Sequence, residues 1–186
     1  GDIKDNELTY HIFYCSCPLE SENYFPGMDR EYEHLVKLSK LYNSSSKDIF
    51  IARLHPGWEN KYCDDQLINL SRKGVLIWDK RKCDNFKIKK FKNIVFYTNC
   101  GTVFLESLGK KTPCLITSDA FESCKSFLNQ PSPYDKSKLK EYFRNWESNS
   151  RRLKFLIKNA CWDQNYYDPK SKYSDEIISR ILKLIN

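Results

Sequence analysis

Three stretches of the chain hold residue types that could handle a phosphate group, and each follows an apolar run. Ile49–Leu54, IFIARL, runs straight into His55-Pro56-Gly57. An imidazole at the end of a buried strand can donate to a phosphate or leaving-group oxygen, and the proline favours an extended backbone at His55. The second stretch, KNIVFYTNCGTVFLESLGKKTP at 92–113, passes from an apolar run through Asn99-Cys100-Gly101-Thr102 into a helical pattern. A helix starting there offers unpaired N–H groups and the positive end of its dipole to an anion; Gly101 allows close approach and Thr102 adds a hydroxyl donor. Glu106 lies about one turn further along the same helix, where a carboxylate can accept hydrogen bonds from ribose hydroxyls. The third stretch ends in Ser16-Cys17, a loop that could approach the sugar or phosphate.

Each residue also has an ordinary structural reading. Asn99 or Thr102 can be a helix cap, Gly101 a turn residue, Glu106 a carboxylate favoured by the helix dipole and His55 a structural histidine. Their shared position after strands is what points to chemistry. His11, within a strand, and His34, within a helix, lack that setting, and Cys100 reads as a small turn residue.

These positions depend on the elements around them. Thr9–Cys15 is rich in β-formers and predicts a first strand. From Asp29 the apolar residues Tyr32, Leu35, Val36, Leu38 and Tyr42 recur at helical spacing, and NSSS at 43–46 ends the pattern. Strands follow at Ile49–Leu54, Val75–Trp78, Ile94–Tyr97 and Pro113–Thr117, with helices over 64–72 and Thr102–Leu108, the latter capped by Gly109. Past Gln130-Pro131-Ser132-Pro133 the β signal stops, and helical periodicity covers 135–160 and 174–185. This alternation predicts an α/β fold: a Rossmann-like parallel sheet with helices on both faces and a helical C-terminal tail. Residues 1–130 form the sheet domain, and 131–186 a helical extension packed on it.

Composition narrows the class. With 186 residues, 40% apolar and 15% aromatic, the chain can build one soluble globular domain with a real core. No apolar run nears the roughly 20 residues that cross a bilayer, and the start does not resemble a signal peptide. The net charge of +7, from 31 basic and 24 acidic residues, favours nucleotide phosphates, other polyanions or an anionic membrane surface. The basic stretch Lys80–Lys92 reads as a solvated face or a peripheral membrane contact, and no nucleic-acid-binding motif accompanies it. Most of the 8 cysteines lie inside apolar runs, as do Cys15, Cys114 and Cys161, and none forms a CxxC pair. They are expected to be reduced, buried thiols of a cytoplasmic protein, without a metal site.

IARLHP at 51–56 followed by NIVFYTNCGTVFLESLGKKTPCLI at 93–116 resembles the C-terminal donor-nucleotide domain of GT-B glycosyltransferases. The likeness is to bacterial surface-carbohydrate enzymes, sialyltransferase-like and Kdo-transferase-like families among them, and spans roughly residues 9–120. It implies that 1–130 is a nucleotide-sugar-binding domain taking a CMP- or UDP-sugar. His55, as the catalytic residue, and Thr102 would contact the departing phosphate, with Gly101 giving backbone access, while Glu106 holds ribose; Asn99 and Ser16 join the binding residues from their own places after strands. No cofactor or metal is implied. Where those families carry paired hydroxyl residues, this chain has Asn99-Cys100-Gly101-Thr102. A complete GT-B enzyme has two such domains and this chain has room for one, so it is expected to be an excised domain or a subunit whose acceptor saccharide is held by another domain or chain. The cytoplasm, including the inner face of the membrane, is the expected place of work. A nucleotide-sugar epimerase half shares the fold, and a non-catalytic interaction module is the reading from another class.

Overall fold

The computed structural model describes residues 8–15, 31–55, 68–78, 93–99, 102–110, 112–118, 125–126 and 128–160. In chain order the elements are β1 (Thr9–Tyr14), α1 (Glu31–Asn43), β2 (Asp48–Arg53), β3 (Leu76–Trp78), β4 (Asn93–Thr98), α2 (Thr102–Lys110), β5 (Cys114–Ile116) and α3 (Lys136–Ala160). The strands form one sheet in the order β3-β2-β1-β4-β5, and every pairing is parallel. This is the α/β, Rossmann-like arrangement that the alternating pattern predicts.

Parallel strands covered on both sides need apolar residues at successive positions rather than at alternate ones. Ile12 and Phe13 in β1, and Phe50, Ile51 and Ala52 in β2, are adjacent in sequence and all fully buried. Neighbours in register share a face. His11, Phe50 and Val95 are aligned, as are Phe13, Ala52 and Tyr97, and this face carries α1, whose Tyr42 stacks on His11 and Phe50. Tyr14, Phe96 and Cys114 lie on the other face, where Ser107 of α2 lies beside the Cys114 thiol. The chain winds outward from β1 through β2 to β3, then returns to β4 on the other side of β1. The strand order therefore reverses between β1 and β4.

Side chains fix how the elements join. The Asn43 amide, at the end of α1, donates to the Gly74 carbonyl (2.8 Å) and the Ser39 hydroxyl (3.0 Å), and its oxygen accepts from Phe50 N–H (3.4 Å). The helical residues 68–72 stop at Gly74 (φ 83°), where Val75 N–H reaches the Leu70 carbonyl and Gly74 N–H the Ser71 carbonyl. That pairing satisfies the last carbonyls and needs a left-handed residue, hence glycine. Asn129 (φ 52°) fills the same place after residues 125–126. The next residue, Gln130, closes the open edge of β5: its side-chain oxygen accepts from Ile116 N–H (2.9 Å) and its amide donates to the Ile116 carbonyl (2.8 Å). Pairing an edge strand in this way removes a template for unwanted strand addition.

Helix α3 begins at Asp135, whose carboxylate accepts from Ser137 N–H (3.2 Å) and Lys138 N–H (3.4 Å) as an N-cap. Leu139, Tyr142, Trp146 and Leu153 recur at helical spacing and enter the same buried cluster as the strands. The Tyr142 hydroxyl donates to the Cys114 carbonyl of β5 (3.0 Å).

Boundaries differ from the sequence pattern in small ways. Helix α2 passes through Gly109 to Lys110 instead of stopping at Leu108, and among the described glycines only Gly74 has a positive φ, so Gly109 does not act as a left-handed cap. The helix expected at 174–185 lies outside the described residues. Cys15 and Cys114 are free and buried, and burial raises both thiols, that of Cys114 to about 12. Among the described residues, no helix is long and apolar enough to cross a membrane.

Candidate functional site

The carboxyl ends of the strands are held in place by a ladder that continues past them. Cys15 N–H donates to the Arg53 carbonyl (2.9 Å), Leu54 N–H to the Trp78 carbonyl (3.0 Å) and Thr117 N–H to the Thr98 carbonyl (2.9 Å). Each chain exit is thereby fixed to its neighbour. At this edge the strand order reverses between β1 and β4, the place where open parallel sheets form the crevice in which they bind ligands.

The expected residues distribute around that crevice. His55 follows Leu54 at the exit of β2 and is half-buried; Asn99 follows Thr98 at the exit of β4 and is buried. Strand β1 separates the two exits. Thr102 opens α2, so the helix presents its N-terminus at the end of β4. Glu106 is half-buried on α2 and close enough to Tyr14, the last residue of β1, to help raise its hydroxyl pKa, although burial is the larger cause. The structure thus brings His55, Asn99, the start of α2 and Glu106 to one edge. Ser16 and Gly101 lie outside the described residues.

Arg53 was not among the residues singled out by sequence. It ends β2 in register with Tyr14 of β1 and Trp78 of β3, and its guanidinium lies over both rings, 4.6 Å and 5.0 Å from their centroids. Its Nε is buried without a hydrogen-bond partner among the described residues. A planar cation held between two rings at the carboxyl edge of a parallel sheet suits phosphate or carboxylate. The signal was present in the sequence: a single arginine closing the apolar run IFIA has to sit at the strand end, where its charge can reach solvent or a ligand.

A second polar cluster lies deeper, on the α1 face. His11 Nε2 is 3.0 Å from Asp48 Oδ1 and Nδ1 is 3.0 Å from the Tyr97 hydroxyl, which shares a 2.8 Å hydrogen bond with the hydroxyl of Tyr42. The Tyr42 ring stacks on the imidazole at 3.6 Å, and Lys136 of α3 approaches Asp48 Oδ2 at 3.5 Å. Burial lowers the His11 pKa despite Asp48, so the ring is neutral: Nε2–H donates to the carboxylate and Nδ1 accepts from Tyr97. Burial works against the Asp48 carboxylate as well, but hydrogen bonds from His11 and Ser45 and the charge of Lys136 outweigh it and hold its pKa low. Burial also raises Tyr42 to about 12 and holds Tyr97 well above the usual tyrosine value. With His11 only 2% exposed, the Asp–His–Tyr array is closed to substrate. It cross-links β1, β2 and β4, and so fixes the two strands that flank the crevice.

Among the described residues, no group of three or more His, Cys, Asp or Glu could hold a metal ion. Compared with protein-family models, curated proteins and solved structures, the chain matches none at a significant level.

Proposed function

We propose that the chain is the donor-nucleotide domain of a glycosyltransferase that builds a bacterial surface polysaccharide from a CMP- or UDP-sugar. The acceptor is held by another domain or subunit. One observation carries this reading: a helix N-terminus, an arginine, a histidine and a helical carboxylate converge on one edge of a parallel sheet, around the reversal of strand order. Phosphate placed at the start of α2 meets backbone N–H groups and the helix dipole. Arg53 and His55 stand on the β2 side, where they can hold the negative charge that grows on the departing nucleotide. Glu106, one turn into α2, is the acceptor for ribose hydroxyls.

Calorimetric titration with CMP-, UDP- and GDP-sugars tests the reading. Saturable binding of at least one is expected, with Arg53→Ala, His55→Ala and Glu106→Ala each weakening it by roughly tenfold or more, the scale of a lost charge-assisted hydrogen bond. Failure of every donor to bind contradicts it.

A further inference from the structure

Beside the crevice, on the α1 face, lies a cavity of about 580 Å³ lined by His34, Thr117, Lys125, Asn129, Ser132 and Tyr134 among others. It is large enough for one monosaccharide unit with its water. We infer that this cavity receives the glycosyl group of the sugar nucleotide, an inference that rests on the donor-domain reading above.

Three observations lead there. Thr117 lies two residues beyond Leu115, which is aligned with Tyr97, so alternation turns Thr117 toward the α1 face. Its N–H and hydroxyl both donate to the Thr98 carbonyl, which places the cavity against the exit of β4 from which α2 starts. Glu106 and Tyr14, by contrast, belong to the opposite face. A ligand whose phosphate sits at the end of β4 therefore has its two ends on opposite faces of the sheet: ribose toward Glu106, the glycosyl group toward the cavity.

The lining has the matching chemistry. It combines the Lys125 ammonium, hydroxyls, side-chain amides and two prolines, and among the described residues none that lines it is acidic. Such a wall donates to sugar oxygens and places no carboxylate against the negatively charged phosphates. His34 and Tyr134 are hydrogen-bonded through Nδ1 and the phenol, with ring planes 12° apart, and form one flat side. A flat aromatic side suits the apolar face of a pyranose ring.

The chain has 3 histidines, which report on three separate places: His55 at the edge, His34 in the cavity and His11 in the core. Their imidazole NMR signals are to be followed in the full chain with UMP, UDP-glucose, CMP and CMP-N-acetylneuraminate. The nucleotide alone is expected to shift His55, the matching sugar nucleotide to shift His55 and His34, and neither to shift His11. Lys125→Ala is expected to weaken sugar-nucleotide binding by roughly tenfold. If the nucleotide shifts His55 while the sugar nucleotide leaves His34 unmoved and Lys125→Ala binds as the native chain does, the inference is overturned and the donor-domain reading stands. If none of the four moves His55 or His34, both fail.

Discussion

His11 shows most clearly how a residue's role depends on partners far away in sequence. Within TYHIFY it reads as one more strand residue, because Asp48, Tyr42 and Tyr97 become its neighbours only through strand register and α1 packing. Arg53 is similar: its place between Tyr14 and Trp78 follows from the alignment of three strand ends. The positions of His55, Asn99 and Glu106 in the fold were legible because their signal is local, a polar residue directly after an apolar run or one turn beyond. The neutral state of His11 has a consequence for stability. Its folded pKa lies below the ordinary value of 6.5, so the unfolded chain binds more protons as pH falls past that value, and stability drops from there downward through the folded pKa. Asp48 acts in the same direction at lower pH, since its folded pKa lies below 3.8. Thermal unfolding between pH 7 and 5 should show a falling midpoint, and His11→Gln should flatten that slope; an equally steep slope in the variant would contradict the assignment. Tyr97→Phe leaves His11 Nδ1 without its donor in the core and should cost about 1–3 kcal/mol in urea unfolding.

At the scale of elements, the sequence is most informative where a turn has a chemical requirement. Gly74 is such a place: a Cβ there would meet nothing within 4 Å, so the cost of Gly74→Ala comes from the backbone alone, at roughly 1 kcal/mol. Asp135→Ala removes the cap of α3 and is expected to cost about 1 kcal/mol, read from the shift in the urea midpoint at constant slope. The short strands β3 and β5 were anticipated at Val75–Trp78 and Pro113–Thr117, and each is shorter by a residue or two at its ends. Propensity marks where β-formers lie, whereas ladder length depends on the neighbour. Gly109 shows the same limit, since a glycine near a helix end suggests a cap, yet α2 continues through it. The closing of β5 by the Gln130 side chain had no sequence signal, because a glutamine after a turn is unremarkable until a strand edge stands beside it.

For the whole molecule, the alternation of strands and helices gives the fold class, but it leaves strand order open. That order is what brings the strand exits to one edge and sets the reversal between β1 and β4. The central claim is that this edge, and not the amino edge or the α3 surface, holds a sugar nucleotide. Backbone amide NMR during titration with CMP-, UDP- and GDP-sugars tests it most directly. The account expects at least one donor to perturb Cys15, Leu54, His55, Asn99 and the first turn of α2 while Thr9, Asp48 and Asn93, at the opposite edge, stay unmoved. Perturbations centred on the amino edge, or none at saturating concentrations of every donor, would contradict it.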